Sequence, residues 1–175
     1  SRKLGSGGGG GGLADIGTTA GDVGAAASDM AWALDPRRDD LPSLLARLRR
    51  LAEDVFAGSG VRWSFAAPRS IEPVALGAEQ RRHIYLILKE AIHNAARHAG
   101  ASQVRLSVAL DDGRLRAELV DDGCGFDTGD GTGSGMVGHG IGSMTRRAVE
   151  LGGRLEVRSR PGEGTTLVLD VPLGR

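Results

Sequence analysis

Residues 88–99 read LKEAIHNAARHA and lie within a helix that the apolar spacing predicts from about residue 78 to 98, with Gly100 as its stop. Glu90, Asn94 and His98 follow one another at intervals of four. Successive members of such a series differ by about 40° around a helix axis, so they form one polar stripe. A carboxylate, an amide oxygen and an imidazole in line can act as a base, a hard-oxygen ligand for a cation and a phosphate-facing donor. A solvated helix face explains the same spacing. The flanking sequence therefore has to distinguish a ligand-binding stripe from a solvated face.

The segment that follows the next hairpin carries an acidic and glycine-rich motif. A strand predicted at 115–120 runs directly into Asp121, Gly123 and Gly125. An aspartate at the end of a strand can accept a hydrogen bond from the amino group of a base, and glycines let backbone approach a ligand. Thr165 opens the last predicted strand, where its hydroxyl can complete a pocket for the base.

A second glycine-rich motif, GHGIGSMTRRA at 138–148, leads from a loop into a helix predicted from about 141 to 151. Gly138 and Gly140 would direct backbone N–H groups and a helix N-terminus toward phosphate oxygens. The two motifs together indicate a site for a phosphorylated ligand.

The remaining segments alternate between helical and strand patterns. A helix is predicted at about 41–56 and strands at 61–67, 104–110, 154–158 and 165–171, with a hairpin signal at Asp111, Asp112 and Gly113. Several strands and three helices predict an α/β fold, a two-layer sandwich with a mixed sheet.

Glycine is the unusual residue of the composition, with 29 copies, whereas average usage predicts about 12. Seven of them lie in residues 1–12, which we expect to be a flexible tether without a role in the fold. Nine more lie between Gly123 and Gly142, interleaved with apolar and charged side chains. This second group is typical of a loop with a function.

The charges of the chain cancel, with 22 basic and 22 acidic side chains. No global field therefore favours nucleic acid or an anionic membrane, and we expect neither as a partner of this fragment. An anion has to be bound by local geometry. The single cysteine, Cys124, cannot form an internal disulfide, which suits the cytoplasm.

Residues 13–36 carry apolar side chains at an alternating spacing of three and four, which is a heptad seam that ends at Pro36. Three glycines inside it weaken a helix, so this segment needs a partner. A helix packed on its own domain and a helix of a dimeric bundle both explain the pattern, and the second is favoured.

These motifs, in this order, resemble the ATP-binding domain of sensor histidine kinases. The superfamily is shared with type II topoisomerases, mismatch-repair ATPases and the ninety-kilodalton heat-shock chaperones. The resemblance rests on Glu90 and Asn94 in an asparagine box, on glycine boxes at 121–125 and 138–140, and on Gly164 and Thr165. The GHGIGSMTRRA motif and DMAWALDP at 29–36 are similar to kinases whose response regulators have a helix-turn-helix output.

The resemblance implies a Bergerat-type α/β sandwich at 37–175 with a lid at about 122–139, preceded by the second helix of a dimerisation bundle at 13–36. It implies ATP and Mg²⁺ as cofactors. The γ-phosphate would pass to a histidine outside this chain and then to an aspartate of a response regulator. A homodimeric full-length protein follows, in the cytoplasm or as the cytoplasmic part of a membrane-bound sensor.

The resemblance also implies a role for individual residues. Glu90 would be the general base, Asn94 the Mg²⁺ ligand, His98 a phosphate contact and Asp121 the partner of the adenine amino group. A surface histidine and an ion-paired glutamate remain open readings for His98 and Glu90. The residues expected to bind ATP are Asn94, His98, Asp121, Gly123, Gly125, Gly138, His139, Gly140, Ile141 and Thr165.

The chain departs from the family in lacking a phosphoacceptor histidine, because no histidine precedes His83. His83 and His93 lie in the helix of the asparagine box. We therefore expect this chain to bind ATP without phosphorylating itself.

Other functions fit the sequence less well. GSGMVG at 133–138 matches the dinucleotide fingerprint, but loop rather than strand precedes it, and no P-loop motif occurs. A serine kinase of the anti-sigma-factor type, or another ATPase of the superfamily, is the alternative; the heptad helix argues against the former. The intact boxes argue against a degenerate module used only for dimerisation.

Overall fold

The computed structural model describes residues 40–68, 74–127 and 138–174, except for the side chains of residues 138 and 139. The tether predicted at 1–12, the bundle helix predicted at 13–36 and residues 128–137 of the predicted lid lie outside this range. None of the helices in these ranges combines the length and the apolar composition of a membrane span. The described elements are α1 (Leu41–Phe56), β1 (Arg62–Ala66), α2 (Ala78–His98), β2 (Gln103–Asp111), β3 (Arg114–Asp121), α3 (Gly138–Glu150), β4 (Arg154–Ser159) and β5 (Thr165–Pro172).

The helices begin and end where local chemistry favours it. The Asp40 carboxylate caps α1 by accepting a hydrogen bond from the Ser43 N–H at 2.6 Å. Gly100 follows α2 with a φ of +58°, a left-handed conformation that glycine adopts without strain. The predicted ends of both helices are thus confirmed.

The five strands form one mixed sheet in the order β1-β2-β3-β5-β4. Strand β1 is parallel to β2, and the other neighbours are antiparallel. Asp112 and Gly113 connect β2 to β3 with φ values of +46° and +71°, which is the geometry of a tight hairpin turn. The register places Asp121, at the end of β3, opposite Thr165, at the start of β5.

One face of the sheet packs against the three helices, and the core lies between these two layers. Strands β2 and β3 alternate buried and exposed residues, and their buried members are apolar until β3 reaches Asp121. The helices contribute Leu44 and Leu48 from α1, Ile84 and Leu88 from α2, and Met144 from α3. The predicted two-layer α/β sandwich with a mixed sheet is confirmed.

Helix α3 begins at Gly138, three residues before the start predicted at about Ile141. The prediction assigns Gly138 and Gly140 to the preceding loop, and glycine has a low helix propensity. Tertiary packing outweighs that preference here, because α3 lies against α2 and Gly140 stands where a larger residue would meet the Glu90 side chain.

Asp122 ties the end of β3 to the loop that follows α2. Its carboxylate accepts hydrogen bonds from the Ser102 N–H at 2.8 Å, the Ser102 hydroxyl at 2.6 Å and the Gln103 N–H at 2.7 Å. These bonds, with the Ser102 hydroxyl foremost, hold the pKa of Asp122 below its ordinary value. The ionised carboxylate is therefore more favourable in the folded than in the unfolded chain.

We expect Asp122→Ala to lower the melting temperature at neutral pH, where wild-type Asp122 is ionised. Because the folded-state pKa is lowered, this contribution is lost as the pH falls from the ordinary range of an aspartate, about 3.9, toward that lowered value. Thermal unfolding followed by circular dichroism between pH 7 and 3 measures the difference. Asp54→Ala, on the exposed face of α1, is the control. Equal effects of the two substitutions at pH 7 would contradict the prediction.

Candidate functional site

A cavity of about 500 Å³, its open mouth included, lies between the second half of α2, the first turns of α3 and one end of the sheet. Its polar wall is formed by Asn94 and His98 from α2, Asp121 from β3 and Thr165 from β5. Apolar walls with few polar groups are typical of sites for small organic ligands. The apolar part of the lining consists of Ala91, Ala95, Ala99, Leu119, Phe126, Ile141, Met144, Val157 and Leu167.

Asp121 is the buried acid of this cavity, with 5% of its surface exposed. Burial raises the pKa of its carboxyl group, and hydrogen bonds from the Gly123 N–H, at 3.0 Å, and from Thr165 partly offset that rise. A carboxylate so placed has acceptor capacity beyond these bonds, because each of its two oxygens can accept more than one. It is suited to a ligand that offers an N–H group.

Ser159, which no sequence motif indicates, lies beside Thr165. Its hydroxyl is 3.0 Å from the Thr165 hydroxyl and 2.9 Å from the Gly164 carbonyl oxygen, and it accepts a bond from the Phe126 N–H at 2.9 Å. The side chain is buried at the end of β4. Strand pairing brings it to this position, since Ser159 stands opposite Thr165 in the sheet.

The predicted glycines beside Asp121 are explained by contacts within the protein. A Cβ atom at Gly123 would lie 2.3 Å from the Ala99 carbonyl oxygen, and one at Gly125, where φ is +58°, would lie 2.0 Å from the Arg160 carbonyl oxygen. The sequence-based prediction for both glycines is that they let backbone approach a ligand. Gly125 lines the cavity, whereas Gly123 is absent from its described lining.

The segment after β3 is bonded to the body of the domain. The Cys124 N–H donates to the Ala99 carbonyl at 2.7 Å, and the Gly162 N–H donates to the Cys124 carbonyl at 2.6 Å. Together with the Phe126 bond, these contacts hold residues 124–126, which the sequence argument placed at the start of the lid. The lid remains a prediction.

The polar stripe of α2 is divided between two surfaces. Asn94 and His98 line the cavity, whereas Glu90 lies in a neighbouring groove between α2 and α3, beside Lys89, Ser143 and Arg147. The four-residue spacing predicts the shared stripe but not the first turn of α3 that crosses it. Glu90 is therefore adjacent to the cavity rather than part of its wall.

Gly140 marks the boundary between the cavity and the groove. A Cβ atom there would lie 2.8 Å from Glu90 Oε1 and 3.7 Å from Asn94 Nδ2. Gly138, His139 and Ile141 stand in the same first turns of α3, and Ile141 reaches the cavity. The predicted second glycine box is thus next to the predicted asparagine box.

We expect Gly140→Ala and Gly142→Ala to differ in stability. Nothing lies within 4 Å of a Cβ atom at Gly142, so alanine there should stabilise α3 by about 0.5–1 kcal/mol through helix propensity. At Gly140 the same gain is offset because the Glu90 carboxylate has to move. Urea unfolding measures both free energies, and a Gly140→Ala gain as large as that of Gly142→Ala would contradict the contact.

Residues 79–175 match the family described as histidine kinase-, DNA gyrase B-, and HSP90-like ATPase. The chain is 34% identical over 103 residues to sensor histidine kinase LiaS of Bacillus subtilis, and 33% identical over 139 residues to sensor histidine kinase MctS of Rhizobium johnstonii. These matches cover 59% and 79% of the chain but 28% and 30% of those two proteins.

Among solved structures, the chain resembles the histidine kinase domain of a blue-light activated histidine kinase from Erythrobacter litoralis. The TM-score is 0.61 at 25% identity, over 74% of this chain and 61% of that one. The family match spans more than half of the chain and contains the cavity, the groove and both glycine boxes. The chain therefore belongs to the histidine kinase-, DNA gyrase B-, and HSP90-like ATPase family.

Proposed function

We propose that this chain is the ATP-binding catalytic domain of a sensor histidine kinase, which transfers the γ-phosphate of ATP to a histidine outside the chain. The observation that carries the proposal is the cavity, which joins a buried carboxylate, Asp121, to the asparagine-box residues Asn94 and His98. The likeness to sensor histidine kinases of two bacteria supports the kinase reading over other members of the family.

The side of the cavity formed by the sheet suits the base of the nucleotide. Asp121 accepts from the adenine amino group while Thr165 contributes its hydroxyl, and apolar side chains such as Leu119 and Met144 pack against the ring. A flat heteroaromatic ring with one exocyclic donor matches apolar walls that contain one buried carboxylate.

The side of the cavity formed by the helices suits the phosphates. Asn94 and His98 of α2 line the cavity, together with Ile141 from the first turns of α3. A helix N-terminus carries partial positive charge and free N–H groups, which favour phosphate oxygens. The neutral net charge of the chain is no obstacle, because this geometry binds an anion locally.

The side-chain oxygen of Asn94, together with the phosphates of a nucleotide, also fits Mg²⁺. In residues 40–68, 74–127 and 138–174, no group of three or more His, Cys, Asp or Glu side chains could hold a metal ion. Mg²⁺ commonly uses few protein ligands together with phosphates and water, so the Asn94 side-chain oxygen can suffice. When bound, the ion would neutralise phosphate charge and orient the γ-phosphate.

The position of Glu90 in the neighbouring groove supports a role as the general base. Its carboxylate can accept the proton of the incoming histidine, while the nucleotide occupies the cavity on the other side of Gly140. The histidine would come from a helical bundle of a homodimeric kinase, to which residues 13–36 contribute. The phosphate would then pass to an aspartate of a response regulator, in the cytoplasm.

We expect Asp121→Asn to weaken binding of a fluorescent ATP analogue about 100-fold, because the amide replaces an acceptor oxygen with a donor at the base. Asp122→Asn is the matched control, since it alters the neighbouring carboxylate outside the cavity and keeps an acceptor for Ser102 and Gln103. Asn94→Ala should mainly remove the Mg²⁺ dependence of binding. Titrations with and without Mg²⁺ measure these effects, and equal binding by all variants would refute the site.

We expect the chain alone to retain no base-stable, acid-labile label from γ-labelled ATP. Addition of a separate fragment that carries the histidine-bearing bundle of the same kinase should restore labelling, on that fragment. Glu90→Gln should reduce this labelling at least about 100-fold, which is the scale of general-base catalysis, and leave nucleotide affinity unchanged. Label on the chain itself, or full transfer by the Glu90→Gln variant, would contradict the proposed roles.

A further inference from the structure

We propose that Ser159 is a positioning residue that sets the direction of the Thr165 hydroxyl and thereby the recognition of the adenine amino group. The inference rests on the proposed function, because it concerns the base end of the same cavity. It adds a residue outside the predicted motifs to the recognition of the ligand.

The geometry gives the Ser159 hydroxyl a complete set of partners. One hydroxyl has one proton and two lone pairs. The proton is donated to the Gly164 carbonyl oxygen at 2.9 Å, and one lone pair accepts from the Phe126 N–H at 2.9 Å. The remaining lone pair faces the Thr165 hydroxyl at 3.0 Å. With these bonds in place, Thr165 is the donor and Ser159 the acceptor.

The Thr165 proton therefore has two competing acceptors. Strand pairing places Asp121 on one side of Thr165 and Ser159 on the other, and the Thr165 hydroxyl is among the groups that lower the pKa of the Asp121 carboxyl. If the proton turns to Ser159, the Thr165 oxygen offers a lone pair to the cavity and Asp121 keeps more of its acceptor capacity for a ligand. If the proton turns to Asp121, that capacity is partly used within the protein.

An adenine amino group has two N–H bonds to donate. Asp121 and Thr165 form a pair of acceptors for them, directly or through water, only when the Thr165 proton is directed away from the ligand. Ser159 directs it away. Because the Phe126 N–H donates to the same oxygen, Ser159 is itself held by a segment that lines the cavity.

The test compares binding of ADP with binding of purine riboside diphosphate, which lacks the 6-amino group. The measured quantity is the ratio of the two dissociation constants, analogue over ADP, from calorimetric titration. We expect Ser159→Ala to lower this ratio about threefold to tenfold, the range for loss of one hydrogen bond. Thr165→Val should lower it as well, and Ser159→Ala in the Thr165→Val background should have no further effect, because Ser159 acts through that hydroxyl.

Three controls separate positioning from a structural role. Ser159→Thr keeps the hydroxyl and should retain the wild-type ratio, whereas Ser64→Ala, on the exposed side of β1, should not change it. Ser159→Cys, nearly equal in size to serine but a weak acceptor, should lower the ratio even if the alanine variant does not fold.

The possible outcomes are distinct. Equal weakening of both ligands, a Ser159 effect that adds fully to that of Thr165→Val, or a normal ratio in Ser159→Cys would overturn the inference. Failure of the wild-type chain to bind either diphosphate would instead refute the proposed function.

Discussion

The site depends on backbone contacts at the end of β3 that leave no room for a side chain. Atoms from three other segments lie against this strand end: the carbonyl of Ala99 after α2, the carbonyl of Arg160 after β4, and Gly164 before β5. A Cβ atom at Gly164, where φ is +75°, would lie only 2.1 Å from the Asp121 carbonyl oxygen. These close backbone contacts bring together Asp121, Ser159 and Thr165, which lie on three different strands.

Much of the fold could be predicted because local patterns and tertiary packing agree. The apolar spacing of α1 and α2, the Asp112–Gly113 turn and the alternation of β2 and β3 each indicate the observed element. Helix α3 begins earlier than predicted because its first turn gains from contact with α2, which outweighs the low helix propensity of glycine. Local sequence patterns carry no information about that contact between two helices.

The site could be predicted only in part, for two physical reasons. Four-residue spacing places Glu90, Asn94 and His98 on one stripe, but spacing does not show that α3 crosses the stripe at Gly140 and separates Glu90 from the cavity. Ser159 was missed because its role comes from strand pairing, and a serine at the end of a predicted strand has no distinctive local signal. Gly123 and Gly125 have close contacts with the protein's own backbone and Gly140 with the Glu90 side chain, none of which a sequence motif shows.

The burial of Asp121 also has an electrostatic cost for the folded domain. Because burial raises its pKa, the ionised carboxylate is better hydrated in the unfolded chain, and the folded domain loses stability as the pH rises through that raised pKa. A bound adenine amino group would replace part of the missing hydration with a fixed dipole. In the proposed complex, the amino group of the base would take the place of water at the Asp121 carboxylate, and the ligand would fill the cavity.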